Sequence, residues 1–131
     1  MPEFSKRSLD NLAQCDERLQ RVMHEAIKRT DFSVICSHRS QANQDKAYMT
    51  GKSQTPWPIS KHNALPSLAV DCVPYPLDWG DLTAFDILSR VVSQCAADLG
   101  VAVQWGGDWE HLRDYPHFEL TDPWPKPEAS A

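Results

Sequence analysis

Residues 60–73 read Ser60-Lys61-His62-Asn63-Ala64-Leu65-Pro66-Ser67-Leu68-Ala69-Val70-Asp71-Cys72-Val73. A polar, proline-bearing loop runs into an apolar stretch with a single acid near its centre. Residues 68–73 predict a β-strand, stopped by Pro74 and Pro76. Strand alternation puts Ala69, Asp71 and Val73 on one face, so the carboxylate has a fixed direction. A carboxylate among such neighbours is costly to bury unless it is hydrogen-bonded, paired or metal-bound. On this stretch alone a hydrogen bond to a turn and a metal both remain open.

The flanking sequence supplies helices and further strands. Leu9, Leu12, Leu19, Val22, Met23, Ala26 and Ile27 recur at three- and four-residue steps, predicting one helix over residues 8–29 with Ser8 as N-cap. Residues 32–36 read as a short strand. Ser40 is placed to cap a helix over 41–49, which Gly51 would end. Residues 52–66 are loop by composition. A further helix is expected over 83–99, with Thr83 and Asp86 as a capping box and Ile87, Leu88, Val91, Val92, Cys95 and Leu99 as its inner stripe. Gly100 closes it. Residues 101–104 predict a strand, 105–108 a turn, and 117–120 a last strand. The pattern is α+β, a small and mostly antiparallel sheet packed with about three helices.

Composition bounds the function. At 131 residues, 41% hydrophobic and 24% charged, the chain has the size of one domain with a core, here residues 1–122. The proline-rich stretch 123–131 is expected to stay unpacked as a flexible tail. Thirteen Lys and Arg against 18 Asp and Glu give a net charge of −5, which argues against a basic nucleic-acid-binding face. No apolar run is long enough to span a membrane, and residues 1–7 lack the apolar stretch of a secretory signal. Cys15, Cys36, Cys72 and Cys95 have no C-x-x-C spacing and read as buried free thiols.

Five histidines divide into two groups. His24, His38 and His111 lie in polar contexts and read as surface or loop residues. His62 and His117 arrive, with Asp71, from different segments. Two imidazoles and one carboxylate make a three-ligand set for Zn²⁺ that leaves a fourth position for water, the composition of a catalytic site. The same set also occurs in iron-binding oxygenases, which favour an all-β double sheet rather than this helical pattern. Asp114, three residues before His117, is either a loop cap or a general acid/base. Arg39 is either a surface cap or an oxyanion-binding guanidinium. Trp105, Trp109 and Tyr115 are candidates for a substrate groove or for core packing.

Taken together, Ser60-Lys61-His62 leading to Ala69-Val70-Asp71, Trp105-Gly106-Gly107-Asp108-Trp109, and Asp114-Tyr115-Pro116-His117-Phe118 resemble the M15 group of zinc peptidases. Within it the sequence is most similar to the phage endolysin branch, the L-alanyl-D-glutamate endopeptidases that cut peptidoglycan stem peptides. The D-alanyl-D-alanine carboxypeptidases and dipeptidases are more distant relatives. The resemblance implies a fold like that of the D,D-peptidases and the Hedgehog domain, with one Zn²⁺ held by His62, Asp71 and His117. It implies Asp114 as acid/base, Arg39 as the substrate-supporting arginine and Ser60 beside the first ligand. It further implies a monomer, made without an export signal, that needs a partner such as a holin to reach the wall in the periplasm. Cleavage at D-Ala–D-Ala and a zinc-containing module without turnover are the alternatives. Eight residues separate His62 from Asp71 where six is common in the family, so the loop at 64–67 is expected to bulge.

Overall fold

The strand around Asp71 forms as β2 (Ala69–Pro74). It lies inside a four-stranded antiparallel sheet with β1 (Phe32–Cys36), β3 (Val103–Trp105) and β4 (His117–Leu120), in the order β1-β2-β4-β3. The computed structural model describes residues 2–110 and 113–125; His111 and residues 126–131 lie outside the described residues. Register places Asp71 directly opposite His117 on β4 and opposite Cys36 on β1. Between Val34 and Cys36 the register shifts, so β1 carries one extra residue, Ile35, against β2. Such a bulge re-aims the side chains beside it.

The period-two pattern divides the sheet into two faces. Val70, Cys72, Phe118 and Leu120 are buried in the main core with Leu19, Val22, Met23 and Ala26 of α2 (Glu17–Ala26). Leu88, Val92, Cys95 and Ala96 of α4 (Leu82–Leu99) complete that layer. Removing a large apolar side chain from water contributes roughly 1.5–3 kcal/mol, so this layer holds the sheet in place. Asp71, His117 and Glu119 occupy the opposite face.

Two helical expectations need correction. The stripe over 8–29 is carried by two helices, α1 (Lys6–Leu12) and α2, rather than one. Asp16 starts the second by accepting the Arg18 N–H at 2.9 Å. The intervening backbone turns away to bond the loop before β2: Asp16 N–H donates to Ser67 O at 2.9 Å and Ser67 N–H to Gln14 O at 2.8 Å. Ser5 rather than Ser8 caps α1, and the buried Ser8 hydroxyl accepts the Val34 N–H. On α4 the cap is Asp81, which accepts the Ala84 N–H, while Asp86 pairs with Arg90. The buried stripe there is Phe85, Leu88, Ser89, Val92, Cys95 and Ala96, leaving Ile87 and Leu99 exposed.

The remaining elements agree closely. Ser40 caps α3 (Gln41–Met49), and Gly100 ends α4 in the left-handed region at φ 69°. β3 starts later than expected, at Val103, and takes in Trp105. Cys15, Cys72 and Cys95 are buried free thiols, and Cys36 is half-buried. Within the stretch 123–131, expected to be unpacked, Trp124 donates its indole N–H to Pro58 O at 2.9 Å. A large aromatic ring has surface to cover that the proline-rich composition hides.

Gly106 opens a 3-10 turn (Gly106–Asp108) and is held close to the segment leading into β4. Its carbonyl accepts the Asp114 N–H at 3.0 Å. A Cβ at Gly106 would collide with the Asp114 carbonyl oxygen and stand 3.0 Å from the Cβ of His117. Gly106→Ala is therefore expected to cost about 1–3 kcal/mol in urea unfolding, the range of an overpacked interior. A variant as stable as the parent would show that this approach is not constrained.

Candidate metal centre

Each of the three central side chains is placed by a different device. His62 lies in a 3-10 turn, Lys61–Asn63, capped by Ser60. The Ser60 hydroxyl accepts the His62 N–H at 3.2 Å, and the Asn63 side-chain oxygen accepts the Ser60 N–H at 3.1 Å. The turn is tied sideways by Arg39 N–H donating to His62 O at 2.7 Å. Asp71 and His117 face each other across the β2–β4 ladder. The longer loop between His62 and Asp71 is taken up at Ser67 by its bonds to Gln14 and Asp16. It leaves His62 Nε2 only 3.2 Å from Asp71 Oδ1.

The three donor atoms form a nearly equilateral triangle. Asp71 Oδ1 is 3.2 Å from His62 Nε2 and 3.3 Å from His117 Nδ1, and the two nitrogens are 3.2 Å apart. Both rings are nearly buried. Their far nitrogens fix the tautomers: His62 Nδ1–H donates to Ser37 O at 2.7 Å, and His117 Nε2–H donates to Glu119 Oε1 at 2.8 Å. A carbonyl and a carboxylate only accept, so in each neutral ring the inner nitrogen carries a lone pair. Two nitrogen lone pairs and a carboxylate oxygen thus converge, and only a cation or a proton reconciles them. A tetrahedral ion with bonds of about 2.0–2.1 Å to nitrogen and oxygen needs its ligand atoms roughly 3.3 Å apart. The observed triangle matches one face of such a tetrahedron, so His62, Asp71 and His117 can hold a metal ion.

The electrostatics agree with that reading. Burial alone would lower the pKa of His62, but the Asp71 carboxylate overrides it and raises it to about 10. Burial likewise opposes ionisation of Asp71, and the two imidazoles hold it ionised, well below the usual carboxylate range. Asp114 is shifted the other way, raised by burial and by the negative charge of Asp71. Its carboxylate stands 4.0 Å from His117 Nδ1, is about half exposed and lines the same cleft. Arg39 donates to Gln44 Oε1 at 3.0 Å and approaches Asp71 Oδ2 at 3.9 Å.

These groups line one cleft of about 840 Å³. Of the aromatic residues expected there, Trp109 lines it, with its ring 5.1 Å from that of His117. Trp105 and Tyr115 do not: the Trp105 indole donates to Tyr115 O at 2.7 Å and its ring packs against the Tyr115 ring, behind the cleft wall. Their bulk is used to support the Asp114–His117 segment, which spacing alone could not distinguish from lining.

Three functional neighbours escaped the sequence reading. Glu119 accepts from His117 and pairs with Lys61 Nζ at 2.7 Å, and Lys61 also donates to Leu120 O at 2.6 Å. The signal was present, because Glu119 lies two residues beyond His117 and so on the same strand face. Gln44, fully buried on the polar helix α3, holds Arg39 and is itself held by Ser53. Nothing in its local pattern marks it.

Two outcomes follow from this geometry. Metal uptake near neutral pH is expected to release a proton, since the raised pKa keeps the metal-free His62 charged. Each unit fall in pH then weakens apparent affinity by about tenfold per proton displaced. Calorimetry in buffers of different ionisation enthalpy reads the proton count directly, and a count of zero would contradict the assignment. Glu119→Ala, which leaves the His117 Nε2–H without its acceptor, is expected to lower metal affinity about 10–100-fold against a chromophoric chelator.

Comparison with known proteins points to one family. The family model described as phage L-alanyl-D-glutamate peptidase matches residues 2–122. The L-alanyl-D-glutamate peptidase of Escherichia phage T5 is 31% identical over 123 residues, covering 90% of this chain and 88% of that protein. The crystal structure of the Serratia marcescens L-Ala D-Glu endopeptidase ChiX superposes with a TM-score of 0.79 at 34% identity, covering 91% of this chain and 90% of that one. With its converging donors, its cleft and its four-stranded sheet, the chain belongs to the phage L-alanyl-D-glutamate peptidase family.

Proposed function

We propose that this protein is a zinc-dependent endolysin that hydrolyses the L-Ala–D-Glu amide of peptidoglycan stem peptides. The observation that carries the reading is the triangle of His62, Asp71 and His117 lone pairs with the Asp114 carboxylate 4.0 Å from His117 in the same cleft. Two nitrogens and one oxygen suit Zn²⁺, and three protein ligands leave a position for water. Bound there, zinc supplies a Lewis acid and lowers the pKa of a coordinated water from about 15.7 toward about 7.

The chain's own residues do the rest. Asp114 accepts the proton of the attacking water, a role favoured by its raised pKa and its half-exposed position. It then delivers that proton to the departing D-Glu amine. Arg39, oriented by Gln44, offers its guanidinium to the carbonyl oxygen as negative charge builds there. Trp109 covers one side of the cleft next to His117. Ser60 acts through the turn that presents His62.

An iron oxygenase is disfavoured by the one four-stranded sheet, backed by helices, among the described residues, and a module without turnover by Asp114 and Arg39 in the cleft. The family acts on the bacterial wall, and no helix among the described residues is long and apolar enough to cross a membrane. Passage to the wall through a holin, and a monomeric working state with a peptidase domain over residues 1–122 followed by a tail, complete the proposal.

Defined muropeptides incubated with zinc-loaded protein and analysed by mass spectrometry test it. New D-Glu amino termini are expected, abolished by chelator and restored by Zn²⁺. Release of D-Ala would instead establish the carboxypeptidase alternative. Asp114→Asn is expected to lower kcat by about 10²–10⁴ while zinc content stays at one per chain.

A further inference from the structure

Trp79 is a large aromatic residue that the chain keeps at the surface. It is 55% exposed, yet its ring stacks on Phe85 with centroids 5.6 Å apart and planes 21° from parallel. Phe85 is buried and in turn meets Tyr115, the neighbour of Asp114, at 6.3 Å. One face of the indole is therefore pinned to the protein, and the residue lines the same cleft as the metal ligands. The backbone beneath it is fixed as well. Asp78 Oδ1 accepts the Gly80 N–H at 2.9 Å, Asp78 O accepts the Asp81 N–H at 3.0 Å, and Asp81 caps α4. A half-exposed ring on the wall of a cleft, with one face packed, has the form of a platform.

We propose that Trp79 is the stacking surface for the amino-sugar ring to which the stem peptide is attached. The inference rests on the L-Ala–D-Glu reading above and deepens it. In peptidoglycan the L-Ala nitrogen is acylated by the lactyl group of N-acetylmuramic acid. A scissile bond after L-Ala then lies one residue, about 3.6 Å of chain, plus a short ether arm from the sugar. A substrate with that carbonyl at the His62–Asp71–His117 triangle must bring its sugar to the cleft wall. The C–H face of a pyranose is apolar and flat enough to cover an exposed indole face, which is otherwise left against water.

The test compares two substrates of identical peptide sequence. One is an N-acetylmuramoyl tetrapeptide; the other is the N-acetyl tetrapeptide, which keeps an amide at L-Ala but has no sugar. For the parent enzyme kcat/KM is expected to be about three- to tenfold higher with the sugar, a preference in the range of one good aromatic contact. Trp79→Ala is expected to bring the ratio of the two values close to one, and Trp79→Phe to retain most of the preference. A parent ratio near one, or an unchanged ratio in Trp79→Ala, overturns the proposal. So does an equal loss on both substrates. Cleavage of the sugar-free peptide by the parent reports separately on the underlying activity, so failure of that reading is distinguishable from failure of the sugar assignment.

Discussion

Three electron pairs aimed into one small volume repel one another unless positive charge lies between them, and this constraint organises the protein. His62 Nε2, His117 Nδ1 and Asp71 Oδ1 are held within 3.3 Å of each other by bonds made elsewhere: to Ser37 O, to Glu119, and along the β2–β4 ladder. The antiparallel register sets Asp71 against His117 across 46 residues of sequence. The capped turn at Ser60 supplies the third corner. The remaining structure serves these placements. The helical layer buries the back of the sheet, and Gly106 lets the Asp114–His117 segment lie close to it.

A second feature is the separation of two carboxylates that share one cleft. Asp71 is deeply enclosed but faces two imidazoles, so it stays ionised. Asp114 is partly withdrawn from water and sees Asp71 as a like charge, so its proton is held more tightly. Environments that push two acids apart in this way allow a division of labour, which in the function proposed above makes Asp71 a ligand and Asp114 the group that takes up and gives back a proton.

The elements β1, α3 and β4 were legible because alternation and capping residues act locally, at Phe32 to Cys36, at Ser40 and at His117 to Leu120. The ligand set was legible for a related reason, since an acid inside an apolar strand is a local contradiction that calls for a partner. The break between α1 and α2 was not legible. Both helices face the same core, so the apolar stripe continues through the interruption, and the cause lies 51 to 53 residues away at Ser67. Gln44 stayed hidden for the same kind of reason, because its burial is decided by Arg39, Ser53 and Asn63 rather than by its neighbours on α3. For Trp105 and Tyr115 the sequence left groove lining and packing both open, and their mutual contact is one of packing. Residue type and spacing do not say which way a ring turns.

The apolar cluster behind the sheet closes without the ligands. The Lys61–Glu119 pair joins the element of the first imidazole to that of the second by a direct ion pair of 2.7 Å. Glu119 thus acts as a yoke, holding Lys61 next to His62 with one oxygen and the His117 ring with the other, so a substitution there disturbs both imidazoles at once.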